Sequence, residues 1–121
     1  MITWINEWLG TASEDTLYDS KFNYHSVIKL KDGWNTPERI YREMLSILQE
    51  HKPLVIVCHG GISRSNGIAT LLLAFLTNNT WDYIYQNIVR KKVPQANVDQ
   101  NFRRCCIQAL ELMRKRLLWN G

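Results

Sequence analysis

Cysteine is scarce in this chain, and the three that occur, at positions 58, 105 and 106, form no disulfide framework. Disulfide-stabilised secreted domains carry even sets of cysteines at framework spacings, so an odd set points to a reducing, cytoplasmic setting. Long apolar runs are missing too. The longest, Ile68 to Leu76 interrupted by Thr70, is too short to span a bilayer, so no membrane insertion is expected. The first residues, Met1-Ile-Thr-Trp-Ile-Asn-Glu7, lack the basic-then-apolar order of a signal peptide. Repeats, low-complexity tracts and linker-like stretches are absent as well. What is present is ordinary for a globular protein: 121 residues, 45% hydrophobic and 21% charged. That length supports one core, and the chain reads as a single domain over 1–121.

The net charge is +4. Basic residues gather at Arg90-Lys-Lys92, Arg103-Arg104 and Arg114-Lys-Arg116. Such clusters suit solvated helix faces and helix C-termini. They also suit attraction to phosphorylated protein, nucleic acid or anionic lipid, among which composition does not choose.

Hydrophobic periodicity alternates between strand and helix. Thr3 to Leu9 reads as a first strand ending in a turn at Gly10, and Ser13 to Asp19 as a short helix capped by Ser13. His25 to Leu30 reads as a strand broken by Asp32-Gly33. Thr36-Pro37 is a cap followed by proline at the first helical position, and Ile40, Met44, Ile47 and Leu48 then share one helical face. His51-Lys52-Pro53 is expected to end that helix, with cations in its last turn. Leu54 to Val57 is a short apolar run, as expected for a strand covered on both faces. Helices follow at 66–77, 80–90 and about 98–119. In the last, Phe102, Cys106, Ala109 and Met113 keep helical spacing, which places Cys105 and Cys106 in core packing. Alternating strands and helices imply an α/β domain.

The chemistry concentrates where the apolar strand meets the next helix, in Pro53-Leu-Val-Ile-Val-Cys-His-Gly-Gly-Ile-Ser-Arg-Ser65. A helix N-terminus has N–H groups without intrahelical partners and a partial positive charge, so it stabilises an anion. Gly60 and Gly61 let successive backbone N–H groups turn inward as a nest. Arg64 supplies a planar fork able to grip two oxygens. His59, Gly60, Gly61, Ile62, Ser63, Arg64 and Ser65 are therefore the candidate phosphate-binding residues. The same positive field favours a thiolate at Cys58, which would face the bound anion as a nucleophile. Ser65 could hydrogen-bond that sulfur. The plainer reading of Cys58, a small buried core residue, lacks any account of the glycines, the Arg-Ser pair and the helix that follow in order.

If strands 25–30 and 54–57 are parallel, the helix between them makes a right-handed crossover and both strands end at the same sheet edge. Ligands of open α/β sheets bind at that edge. Asp32 and Cys58 each lie just past a strand end, so Asp32 is the candidate general acid. Asp-Gly is also a common turn dipeptide, and both readings stand.

Val55-Ile-Val-Cys-His-Gly-Gly-Ile-Ser-Arg-Ser65, the upstream Asp32-Gly33 and the downstream Pro94 and Phe102 together resemble the cysteine-dependent protein phosphatases of the small dual-specificity type. The resemblance runs from about Val27 to Met113. It implies a protein-tyrosine-phosphatase-like fold with a central, mostly parallel sheet of four to five strands flanked by helices. It also implies attack of Cys58 on the phosphorus of a phosphorylated protein, with Arg64 and the loop amides holding the oxygens and Asp32 protonating the leaving group. No cofactor or metal is implied, and a phosphate or sulfate ion would fit the loop.

Three features depart from the family pattern. Val57 stands where a histidine that helps orient the loop is usual. The region before Asp32 is short, which implies a shallow pocket open to phosphoserine and phosphothreonine as well as phosphotyrosine. Pro94-Gln-Ala-Asn97 replaces the usual Pro-Asn. Alternatives are a pseudophosphatase that only binds phosphorylated partners, an RNA 5′-phosphatase, and a rhodanese-like sulfurtransferase, whose cysteine loop is commonly one residue shorter.

If Asp32 is the acid, Asp32→Asn lowers kcat on the order of 10²- to 10⁴-fold, the usual worth of a positioned proton donor. Because the acid works protonated, the substitution also flattens the high-pH limb of the kcat profile. An unchanged profile moves the acid elsewhere.

Overall fold

A computed structural model describes residues 2–15, 26–29, 36–60 and 62–117 of the chain. Its strands are β1 (Thr3–Trp4), β2 (Leu9–Ser13), β3 (Ser26–Lys29) and β4 (Leu54–Cys58), in the sheet order β1-β2-β4-β3. The short β1 runs antiparallel to β2, whereas β2 and β3 both lie parallel to β4. Ser13 is in register with Cys58, and Lys29 with Val57. The helices are α1 (Pro37–Ile47), α2 (Arg64–Thr77), α3 (Trp81–Ile84), α4 (Arg90–Lys92) and α5 (Gln100–Leu117), with a π-helical turn, Tyr85–Val89, joining α3 to α4. The β3-α1-β4 unit is therefore a parallel crossover, and the α/β architecture stands.

The start of the chain differs from the expected single strand over Thr3 to Leu9. The Asn6 side chain accepts hydrogen bonds from the N–H groups of Trp8 (2.9 Å) and Leu9 (2.7 Å). This local turn divides the segment into β1 and β2. Gly10 is accordingly a strand residue, not a turn. A Cβ there would meet Ile2 Cγ2 at 2.7 Å and the Trp4 ring at 3.0 Å, so glycine lets those side chains lie across the strand. Ser13 closes β2, and a 3₁₀ turn begins directly after it at Glu14 and Asp15. The rest of that expected helix, 16–19, lies outside the described residues.

α1 begins as expected, with Thr36 Oγ1 accepting from Arg39 N and Pro37 in the first turn. Ile40, Tyr41, Met44 and Ile47 form its buried face. The helix stops at Ile47, three residues before the expected 50, and its last turn carries no basic residue. The N–H groups of Gln49 and Glu50 bond to the carbonyls of Ser46 and Ile47, the tightened geometry that commonly ends a helix.

All five residues of β4 are buried, and they alternate between two apolar clusters. Leu54, Ile56 and Cys58 face the main core, while Val55 and Val57 pack with Ala12 and Ile2 on the opposite face. The two-residue period of a strand thereby sends Cys58 toward the helices and Val57 away from them. α2 is buried at every position from Ser65 to Ala74, as a helix hydrophobic all round should be. Its apolar run is core, and among the described residues no helix is long and apolar enough to cross a membrane.

Two aromatic side chains hold the first turns of α2. Trp81, 1% exposed, donates its indole N–H to Gly67 O at 3.2 Å. A Cβ at Gly67 would stand 2.8 Å from the ring of the buried Phe102 on α5. Gly67 thus permits close approach of α5, and a side chain there must displace Phe102. Gly67→Val is expected to lower the stability of the fold by about 2 kcal/mol, within the usual cost of overpacking. Chemical denaturation measures it, and an unchanged midpoint would refute the packing argument.

Candidate active site

β4 ends on Cys58 and α2 begins on Arg64, so the loop between them is held at both ends by buried elements. Cys58 is 3% exposed and its Sγ lies 3.3 Å from Oγ of the fully buried Ser65. The thiol donates in that contact; in a thiolate the direction reverses and the hydroxyl donates. Arg64 occupies the first helical position and is half-buried. Cys58, Arg64 and Ser65 are thus gathered at the N-terminus of a 14-residue helix, where the helix dipole favours negative charge.

The loop's peptide planes are set from outside. Ile62 O accepts two hydrogen bonds, one from Asn66 Nδ2 and one from the N–H of Asn97, each 3.0 Å long. The peptide is trans, so the Ser63 N–H points to the opposite side, away from those donors. His59 O likewise accepts from the N–H of Glu14, which turns the Gly60 N–H away from β2. Ser63 Oγ accepts from Asp99 N at 3.0 Å. Asp99 in turn caps α5, its Oδ2 accepting from Asn101 N and Phe102 N.

The central brace is Asn66. Its side chain is fully buried, and while Nδ2 holds Ile62, Oδ1 accepts the Thr11 hydroxyl at 3.0 Å. Thr11, on β2, is also buried. One amide therefore ties strand, loop and helix together. Neither Thr11 nor Asn66 was legible as part of the site, and Asn97 was legible only as the place where the family's Pro-Asn pattern is altered. The available signal was the polar Asn66 opening an otherwise apolar helix.

His59 projects from the loop with its side chain 84% exposed, and its Nδ1 lies 3.2 Å from Glu14 Oε2. Ile62, 45% exposed, stands at the loop rim. Asp32 and Gly61 lie outside the described residues. Burial in the core, with Cys105 beside it, pushes the Cys106 thiol well up and keeps it protonated. It packs between helices as the helical spacing implied. Among the described residues, no group of three or more His, Cys, Asp and Glu side chains is arranged to hold a metal.

Three arginines of the basic clusters are engaged within the fold. Arg103 pairs through two nitrogens with Asp82, whose hydrogen bond raises the guanidinium pKa further. Arg116 pairs with Glu38 through both nitrogens, and that bond holds the Glu38 carboxyl below its ordinary range. Arg114 donates to the carbonyls of Ala74 and Asn79. These contacts give Arg103, Arg114 and Arg116 a structural role.

No family model and no curated protein matches the chain. Solved structures do. The active form of Tk-PTP superposes with a TM-score of 0.70 at 16% identity, covering 91% of this chain and 96% of that one. DUSP15 gives 0.71 at 14% identity, covering 99% and 96%. A leucine rich repeat and phosphatase domain containing protein from Entamoeba histolytica gives 0.66 at 14% identity, covering 96% and 94%. The chain thus has the fold of the cysteine-dependent, dual-specificity phosphatases that its sequence resembles.

The orientation of the Ser63 amide rests on Asn66, so Asn66→Ala is expected to weaken binding of inorganic phosphate about tenfold, the equivalent of one hydrogen bond. Thr11→Val, which leaves Asn66 Nδ2 in place, weakens it less while still lowering stability by about 1–3 kcal/mol. Titration calorimetry and denaturation separate the two effects. Equal phosphate affinity in wild type and Asn66→Ala would refute the brace.

Proposed function

We propose that this chain is a phosphatase that hydrolyses phosphotyrosine, phosphoserine or phosphothreonine monoesters of proteins through a cysteinyl-phosphate intermediate. The observation that carries the reading is the Cys58 sulfur, 3.3 Å from Ser65 Oγ, at the mouth of an Arg64-led helix N-terminus.

In the first step the Cys58 thiolate attacks phosphorus, an S–P bond forms, and the bond from phosphorus to the ester oxygen breaks. The departing oxygen takes a proton from Asp32. Arg64, the Ser63 and Gly60 amides and the N-terminus of α2 hold the remaining oxygens, whose charge they stabilise more strongly as the transition state forms. In the second step water attacks phosphorus and gives a proton to the Asp32 carboxylate. The S–P bond breaks, the pair returns to sulfur, and the Ser65 hydroxyl donates to the emerging thiolate. Inorganic phosphate leaves, and the starting protonation states are restored. Val57 does not enter this chemistry, because its side chain lies in the apolar cluster across the sheet.

Cys58→Ser is expected to abolish hydrolysis of a small aryl phosphate, because a serine hydroxyl there lacks both the thiolate's nucleophilicity and its leaving ability. Steady-state assay beside wild type checks it. Equal activity in the two proteins would remove Cys58 as the nucleophile.

A further inference from the structure

The hydrogen bonds from Asn66, Asn97 and Asp99 all reach the second half of the anion loop, at Ile62 and Ser63. The first half is placed differently. A Cβ added at Gly60 would meet nothing within 4 Å among the described residues, so packing does not hold the chain there. Sheet register does. Ser13 on β2 pairs with Cys58 on β4, and the next residues, Glu14 and His59, continue that ladder one step past the sheet edge. The Glu14 N–H donates to His59 O at 3.4 Å, and Glu14 Oε2 lies 3.2 Å from His59 Nδ1.

Glu14 therefore grips His59 by backbone and side chain together. The backbone contact is longer than an ordinary N–H to carbonyl bond, and the side-chain contact closes a ring around it. An ionised carboxylate only accepts, so Nδ1 carries the hydrogen and donates it. The His59 side chain is 84% exposed and that of Glu14 31%, so the imidazole gains little from packing and Glu14 sets its place. A carboxylate beside an anion loop opposes anion binding by its charge. Any benefit from Glu14 is accordingly geometric.

We propose that Glu14 is a positioning residue of the phosphate site. It acts through His59. By fixing that residue it sets the 59–60 peptide plane, so that the Gly60 N–H turns away from β2 and toward the oxygens of the bound phosphoryl group. The inference rests on the phosphatase reading and gives His59 a role other than phosphate contact: its side chain is turned to Glu14 and its backbone shapes the loop. Without the clamp, the peptide before a glycine with open space around it is free to rotate, and the anion loses one donor.

The test uses the full chain and inorganic sulfate, a dianion at neutral pH that the protein does not hydrolyse, read by titration calorimetry. Charge alone predicts that Glu14→Ala tightens sulfate binding; positioning predicts the opposite. Glu14→Ala and His59→Ala are each expected to weaken binding about fivefold, within the net worth of one hydrogen bond. The double variant is expected to lose no more than either single one, because both remove the same contact. Glu14→Gln keeps an acceptor for the Nδ1 hydrogen and removes the charge, so it is expected to bind at least as tightly as wild type. In aryl phosphate hydrolysis, Glu14→Ala is expected to lower kcat about tenfold and raise KM less than about threefold, since the Gly60 amide is worth most in the transition state. Unchanged or tighter sulfate binding in Glu14→Ala overturns the proposal. A loss confined to His59→Ala also overturns it, making that side chain a direct ligand, and so do single losses that multiply in the double variant. A Glu14→Gln protein as weak as Glu14→Ala overturns the hydrogen-bonded clamp. Sulfate binding needs no turnover, so a wild type that binds sulfate but leaves aryl phosphate intact fails the phosphatase reading alone.

Discussion

The site depends on a buried amide. Asn66 has no solvent to satisfy it, so its donors and acceptors must find protein partners or cost the fold several hydrogen bonds' worth of stability. The observed solution uses Oδ1 for Thr11 on β2 and Nδ2 for the Ile62 carbonyl. That single choice fixes how the loop leaves the sheet and how it enters α2. A hydrogen bond in a dry interior is stronger than its counterpart in water and more costly to break. The peptide plane after Ile62 is therefore fixed before any anion arrives, and preorganised donors are what an anion site needs.

α2 carries this arrangement because it is held along its length. Near the N-terminus, Trp81 and Phe102 pack on either side of Gly67. At the C-terminus, Asn78 takes the left-handed conformation and Arg114 reaches across from α5 to the carbonyls of Ala74 and Asn79. A cation at that end complements the helix dipole. A helix pinned at both ends transmits little movement to its first turn. The loop from Cys58 to Arg64, though itself partly exposed, thus sits on a helix held at both ends.

Local signals were readable in the sequence, and long-range ones were not. The Thr36-Pro37 helix start, the apolar β4 and the Cys58-to-Arg64 loop all follow from neighbours in the chain. So does the parallel crossover, which needs only strand, helix and strand in order. The division of β1 from β2 is hidden in the sequence because Gly10 there has the signature of a turn. Its actual constraint is the close approach of Ile2 and Trp4 across the strand. The early end of α1 has no sequence signal as strong as His51-Lys52-Pro53, because it rests on the backbone tightening at Gln49 and Glu50. Thr11 lies 55 residues from Asn66, and Ser63 lies 36 from Asp99. No periodicity or spacing rule links positions so far apart, so the braces of the loop appear only once the chain is folded.

The valine at position 57 looks different in this light. In a strand of period two, residues 57 and 58 must face opposite sides, and Val57 packs with Ala12, Val55 and Ile2. A histidine placed there would have to bury its ring nitrogens in an apolar layer unless a partner came with it. The polar orientation of the loop is supplied instead from the helix side, by Asn66 and by the backbone of residues 97 and 99. Orientation of the loop's second half consequently rests on a few hydrogen bonds from the helix side, and a change in the 97–99 segment should be felt at the anion site.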